Sequence, residues 1–379
     1  MILAIEPVFP NAHHAPSNAG ILRALLLIAG AQPVTFAAHP AHRAAVADVL
    51  GPELDARVGR TDFPVSPPGG VKVSRIREQL LAMRRLVGRL DPSVLIVVGT
   101  TSETLFACRL LAMTRRNLPI LAVLHGNLST AAIGWRSRDP RHRLFDSRSS
   151  LRVARHPAIR FVVLDESIRQ EALARGLLPE AATVTWPLPI EPTEVWDTPH
   201  QPGQGPIHIG FVGSAHRTKG FGDFLTIARH FAPAADRYRF SLAGGMMETY
   251  SEAERALVGA EYGLLDRAEY LRRIRALHYV CLPVDPEVYA LTASASLLDA
   301  VAALKPVIAY PGGMVKALAS AGPIGFTCDD LNGMMNVVAD HDALCDPAAY
   351  GRFQDNLRRQ RTLRSPEALA GIIASTLWP

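Results

Sequence analysis

Short apolar runs alternate with longer amphipathic stretches along almost the whole chain. In the first half, strands are predicted over Ile2–Glu6, Pro33–Ala37, Val94–Gly99, Ile120–Leu124, Arg160–Leu164 and Thr183–Trp186. Helices are predicted between them, over Gly20–Ala29, Ala41–Leu50, Val73–Leu90, Ser102–Met113 and Glu166–Arg175. Leu80, Met83, Leu86, Val87 and Leu90 recur at the three-to-four-residue spacing of one helix face. Runs that are apolar on both faces, each followed by a helix, imply a parallel sheet covered on both sides.

The texture then breaks. Pro187–Pro206 holds six prolines with Gly203 and Gly205, a density that stops regular structure and predicts a linker. Beyond it the alternation restarts, with strands predicted over Ile207–Val212, Tyr238–Ala243, Tyr279–Pro283, Pro306–Tyr310 and Gly325–Cys328. Helices are predicted over Gly220–Phe231, Arg267–Leu277, Ala293–Leu304 and Gly313–Ser320, and two more within Ala348–Leu377. The reading is an α/β protein of two domains, 1–188 and 206–360, with a terminal helical piece, 361–379, that packs back on the first. Two such domains imply a cleft, with ligands beyond the carboxyl ends of the strands.

Composition agrees with a globular protein: 379 residues, 48% hydrophobic and 20% charged. Cys108, Cys281, Cys328 and Cys345 lie far apart, with neither metal-ligand nor redox spacing, and read as reduced thiols. The opening MILAIEPVFP has no basic region before its apolar residues, so it reads as a buried strand and not as a signal peptide. No run reaches the roughly 18–20 apolar residues of a membrane span. The expectation is a cytoplasmic protein.

Charge changes the picture more. The net charge of +5 is concentrated in the first half, and arginine far outnumbers lysine. The densest stretch, Arg136–Arg160, also carries Arg138, Arg141, Arg143, Arg148, Arg152 and Arg155. A solvated face is the plain reading. An anionic membrane surface or a phosphorylated acceptor is the functional one. Nucleic acid is not expected as a partner, because no aromatic interleaving or zinc motif accompanies the charge.

Three strand-to-helix junctions in the second half carry candidate chemistry. In VGSAHRTKGFGDFL, Gly213 permits a tight turn after a strand, and Arg217 and Lys219 stand near a helix start, where free N–H groups and a cation suit a diphosphate. SLAGG ends on Gly244–Gly245. The third junction places Thr292, Ser294 and Ser296 in the first turn of a helix, with Asp299 one turn on. Ordinary N-capping explains each hydroxyl singly. A carboxylate at Asp299 suits the vicinal hydroxyls of a ribose.

Taken together, Ile207–Tyr310 resembles the C-terminal domain of GT-B glycosyltransferases, especially retaining glycosyltransferase family 4. VGSAHRTKG is similar to that family's VGRxxxxKG, and SLLDAVAALKPVIAY to its LLEAMAxGxPVVA. The resemblance implies two Rossmann-like domains facing across a cleft and transfer of a hexosyl group from a UDP- or GDP-linked sugar to a glycan or lipid-linked acceptor, as in polysaccharide biosynthesis. It implies no cofactor and no metal. It implies that Lys219 binds the donor diphosphate, with Arg217 supplying the cation that Ser214 lacks. Asp299 matches the ribose-binding member of the family's Glu-x7-Glu pair. Its first glutamate falls on Leu291, for which Glu287 is the nearest substitute. Gly213, Gly244, Gly245, Thr292, Ser294 and Ser296 complete the expected donor site.

In the first half the resemblance is looser. Asn18 and Gly20 stand where the family has a glycine-rich loop across the phosphates. His125, at the end of the Ile120–Leu124 strand, matches a histidine near the transferred sugar, as hydrogen-bond donor or as base, with Asn127 beside it. Two other functions share the fold: nucleotide-sugar epimerase or hydrolase, and a non-catalytic scaffold.

Overall fold

The computed structural model describes residues 1–65, 72–133, 145–192, 195–197, 201–203, 205–246, 248–263 and 265–378. Arg136, Arg138, Arg141 and Arg143 of the predicted basic segment lie outside them. The chain forms two compact units. The first comprises Met1–Glu191, Leu291–Ala293 and Arg364–Pro379, and the second Pro192–Ala290 and Ser294–Leu363.

Unit 1 is built on seven strands: β1 (Ile2–Glu6), β2 (Val34–Ala38), β3 (Val58–Asp62), β4 (Val94–Val97), β5 (Ile120–Val123), β6 (Ile159–Val163) and β7 (Thr183–Thr185). Every pairing is parallel, in the order β3-β2-β1-β4-β5-β6-β7. β1, β2, β4 and β5 are buried along their whole length, which is why they stand out as apolar runs. β3, VGRTD, buries only Val58, so its sequence shows no apolar run, and it escapes prediction.

Unit 2 holds β8 (Ile207–Val212), β9 (Tyr238–Ala243), β10 (Tyr279–Leu282), β11 (Val307–Ala309) and β12 (Gly325–Thr327), all parallel, in the order β12-β11-β10-β8-β9. In each sheet the chain leaves the first strand in one direction and later returns to its other side. The crevice at that reversal, beyond the carboxyl ends of the strands, is where doubly wound sheets bind ligands. It lies at β1 and β4 in unit 1, and at β8 and β10 in unit 2.

Three boundaries differ from the sequence reading. The predicted linker does not begin at Pro187. Leu188 and Ile190 are buried in unit 1, and their N–H groups donate to the carbonyls of Leu164 (3.0 Å) and Arg364 (2.8 Å). The terminal helix Pro366–Leu377 belongs to unit 1 and packs on helix Ala15–Ile28, with Arg364 paired to the buried Asp165 at 2.8 Å. Leu291–Ala293 also belongs to unit 1, so the predicted helix Ala293–Leu304 begins only at Ala295 and ends at Ala302.

Unit 2 buries one lysine completely. Lys305 is 1% exposed and donates to the Arg275 carbonyl at 2.9 Å, with burial pushing its pKa down to about 7. Between pH 7 and its unfolded value near 10.5, the unfolded state binds more protons than the folded one, so this group makes stability rise with pH across that window. Below about pH 7 the full cost of burying the charge is present. Lys305→Met is therefore expected to stabilise the protein at pH 7 by about 1–3 kcal/mol, with the gain fading toward pH 10, as measured by denaturant unfolding at both pH values.

Candidate functional site

The reversal in unit 2 gathers four of the predicted donor-site residues. Gly213 follows β8, adopts φ +97° and presses against helix Ala295–Ala302: a Cβ there would stand 2.5 Å from Ser296 Oγ and 3.9 Å from Lys219 Nζ. Any larger residue would be strained at this φ and would displace the Ser296 hydroxyl. The Gly244–Gly245 pair serves the same closeness, because a Cβ at Gly244 would collide with the Gly213 carbonyl oxygen. Ala215 N–H donates to the Gly245 carbonyl at 2.8 Å, joining the loops after β8 and β9.

Lys219 closes a short 3-10 turn, Arg217–Lys219, at the entrance to helix Phe221–Phe231. Burial lowers its pKa, and the Asp299 carboxylate opposes that shift. Asp299 lies on helix Ala295–Ala302, its side chain 15% exposed. Burial raises its pKa, while Arg267, 3.5 Å away, and the Tyr270 hydroxyl, which donates to its Oδ2, hold the charged form in place. The Arg267 guanidinium also lies over the Tyr270 ring, 4.9 Å from its centroid. Arg267 and Tyr270 were not singled out in the sequence. They sit about thirty residues upstream on a charged helix, where no local pattern marks them.

The other predicted donor residues are placed differently. Ser294 is the N-cap, its Oγ accepting from Leu297 N–H at 3.3 Å, and Ser214 is half-buried beside Gly213. Thr292 is not in the first turn; it lies in unit 1, sharing a 2.6 Å hydrogen bond with Ser129. Glu287 is exposed on the short helix Pro286–Tyr289. Arg217 points outward, 79% exposed and 3.7 Å from Glu248. It lines an open hollow of about 830 Å³ with Thr218, Asp285 and Tyr310, while Lys219, Ser296 and Asp299 do not. The hollow therefore lies beside the Lys219–Asp299 cluster and not over it.

At the reversal in unit 1, Glu6 closes β1 and is fully buried. Its carboxylate accepts from Val8 N–H (2.8 Å), Phe9 N–H (3.3 Å) and Asn18 Nδ2 (3.2 Å), and burial pushes its pKa up to about 7. Asn18 also contacts His42 Nε2 at 2.9 Å. Asn18 and Gly20 are thus not loop residues. Both are buried inside helix Ala15–Ile28, whose Pro16 starts it earlier than expected, and a Cβ on Gly20 would stand 2.7 Å from Pro189. The chemical signal for Glu6 was present but unread: a carboxylate ending a strand buried on both faces.

His125 follows β5. Its Nε2 lies 2.8 Å from the Val98 carbonyl, which can only accept, so Nε2 carries the proton and Nδ1 is a bare acceptor. Burial pushes its pKa down to about 4, so the ring is neutral near pH 7. The His14 ring lies against it, centroids 4.3 Å apart and tilted by 48°, with its own pKa pushed down to about 3 by burial. Asn127 is buried, and its amide donates to Thr100 O (2.9 Å) and Oγ1 (3.2 Å), tying the loop after β5 to the end of β4. Among the described residues no three His, Cys, Asp or Glu side chains group closely enough to hold a metal ion.

No protein-family model matches the chain, and no curated protein does either. Solved structures match over nearly its full length. Sucrose-phosphate synthase from Thermosynechococcus elongatus superposes with a TM-score of 0.69 at 16% identity, covering 99% of this chain and 98% of that one. HepE of Anabaena, solved in complex with UDP-glucose, gives 0.68 at 14% identity with the same coverage. A glycosyltransferase from Rickettsia africae gives 0.65 at 11% identity, covering 99% and 96%. The fold is GT-B. At these identities the likeness concerns the backbone alone. In GT-B terms, the N-terminal Rossmann-like domain is unit 1 with its returning terminal helix, and the C-terminal one is unit 2.

Proposed function

We propose that the chain is a glycosyltransferase that moves a hexosyl group from a UDP- or GDP-linked donor to a glycan or lipid-linked acceptor. The observation that carries this reading is the convergence of Gly213, Lys219, Ser296 and Asp299 at the reversal in the sheet of unit 2. Lys219 neutralises the departing diphosphate, and free N–H groups at the start of helix Ala295–Ala302 add to it. This charge set performs the step without a metal. Asp299, already accepting from Tyr270, takes the ribose hydroxyls. Solved neighbours carrying UDP or UDP-glucose support the donor class.

Unit 1 binds the acceptor in this reading. His125, with its one proton committed to Val98, accepts a hydrogen bond from a hydroxyl at Nδ1 and cannot donate one. Of the two roles the sequence left open, it takes the accepting one. His125→Ala is expected to lower turnover about a hundredfold. Because the ring is neutral above about pH 4, turnover should show no titration from it between pH 6 and 8. An acid limb near pH 6.5 that disappears in the variant would contradict the assignment.

Thermal-shift measurements with UDP, GDP and ADP test the donor site. A cognate nucleotide at 100 to 1,000 times Kd should stabilise by about 2.7–4.1 kcal/mol. No response to any of the three would favour a non-catalytic scaffold. Hydrolysis of a nucleotide sugar at the same rate with and without acceptor would favour a hydrolase.

A further inference from the structure

Lys219 is carried by a turn too short to hold itself in place. Within Arg217–Lys219 the bonds are local: the N–H groups of Lys219 and Gly220 donate to the carbonyls of His216 and Arg217, each at 2.9 Å. Such 3-10 bonds have poor geometry and fix a backbone weakly. One side of the turn is closed by Gly220, at φ +77°, where a Cβ would collide with the Pro283 carbonyl oxygen. The other side is closed by Glu248, from the loop that follows β9 and the Gly244–Gly245 pair.

The Glu248 side chain is half-buried. Its Oε2 accepts from Arg217 N–H at 3.2 Å and from the Tyr250 hydroxyl at 3.0 Å. Its Oε1 lies 3.4 Å from His216 Nε2. His216 Nδ1 accepts from Thr218 N–H at 3.2 Å, so in the neutral ring the proton sits on Nε2, the nitrogen that faces the carboxylate. One carboxylate therefore grips both the cap of the turn and its first residue. Tyr250 is itself held. Its ring meets Phe221, the first residue of the helix after the turn, edge-on with centroids 5.0 Å apart. Its backbone N–H (3.3 Å) and carbonyl (2.9 Å) both bond the Tyr262 hydroxyl.

The partners of Glu248 are the residues that lead into Lys219, and the charge acting on the Lys219 ammonium is that of Asp299. This division has a chemical reason. A carboxylate bonded to the ammonium would compete with a diphosphate for its N–H groups. One bonded to the turn fixes where the lysine stands and leaves those donors to the ligand.

We propose that Glu248 is a positioning residue of the donor site, holding the turn so that Lys219 meets the donor diphosphate without first reorganising. The inference rests on the reading of Lys219 as the diphosphate ligand. Glu248 lies 29 residues from Lys219 in a loop without a recognisable pattern, so the sequence does not mark it.

The test is a double-mutant cycle on the full chain, read by calorimetric titration with UDP and with GDP, and with uridine and guanosine as controls. Lys219→Ala should weaken binding of the cognate diphosphate about tenfold to a hundredfold, the worth of one hydrogen-bonded charge. Glu248→Ala should weaken it about tenfold, with the nucleoside bound as before. In the Lys219→Ala background, Glu248→Ala should add less than about a twofold loss, because no lysine is left to position. Glu248→Gln keeps an oxygen for Arg217 N–H and the Tyr250 hydroxyl, and should stay within about threefold of the unmodified protein. Tyr250→Phe keeps the ring on Phe221 and removes one bond to Glu248. It should cost about threefold, again only when Lys219 is present. Additive losses in the cycle, or equal weakening of the nucleoside by Glu248→Ala, would overturn the inference, since both mark a general disturbance of the loop. Undiminished diphosphate binding by Glu248→Ala beside a weakened Lys219→Ala would remove this inference alone. Undiminished binding by Lys219→Ala, or no binding of UDP or GDP to the unmodified protein, would remove the donor-site reading and this inference with it.

Discussion

Lys219→Ala is expected to lower turnover of a nucleotide sugar by about a hundredfold to a thousandfold while the protein stays folded, the loss seen when one preorganised donor to a developing anion is removed. The ammonium is half-buried beside Asp299 and next to Gly213 and Ser296, so burial keeps water from replacing it. Stability should hold for a specific reason: Asp299 keeps Arg267 and the Tyr270 hydroxyl as partners when Lys219 is gone, so no carboxylate is orphaned. Steady-state kinetics with a UDP-sugar, beside a thermal melt of the same preparation, checks both halves. Turnover equal to that of the unmodified protein would remove Lys219 from the diphosphate site.

Leu291→Glu should not create the sugar-binding carboxylate found at this place in the glycosyltransferase family the sequence resembles. It should instead destabilise the protein by about 4 kcal/mol or more. Leu291 is 2% exposed and sits in the apolar core of unit 1 among the side chains around β4 and β5. Thr292 next to it is held by Ser129. A glutamate here exchanges buried hydrocarbon for a carboxyl group without a partner. Leu291→Met, which keeps the volume, should cost less than about 1.5 kcal/mol. Denaturant unfolding of the two variants separates these outcomes. A Leu291→Glu protein of ordinary stability would mean that the segment does not depend on this anchor.

These two residues divide cleanly in how far the sequence disclosed them. Lys219 is legible because its setting is local: a buried strand, a glycine and a helix start within a dozen residues. Leu291 is not, because a lone leucine between Ala290 and Thr292 looks the same in a helix, a loop or a foreign core. The hydroxyl pattern Thr292, Ser294, Ser296 misleads in the same way, for spacing suggested one helical turn where Ser294 is the cap and Thr292 lies outside the helix.

The fold class followed from the chain's own periodicity. β1 and β8 run over the predicted residues, because a strand buried on both faces must be written as a continuous or nearly continuous apolar run, and the helices between must show one apolar stripe. An edge strand such as β3 carries no such requirement and stayed hidden. Tertiary structure alone decided the rest: that Asp299 is gripped by Tyr270 and Arg267, that Glu6 is buried under Asn18, that the Val98 carbonyl sets the tautomer of His125, and that Leu291 serves unit 1. Each of these pairs residues from 12 to well over a hundred positions apart. Local spacing encodes the burial of a face, but which distant group meets that face is set only when the whole chain packs.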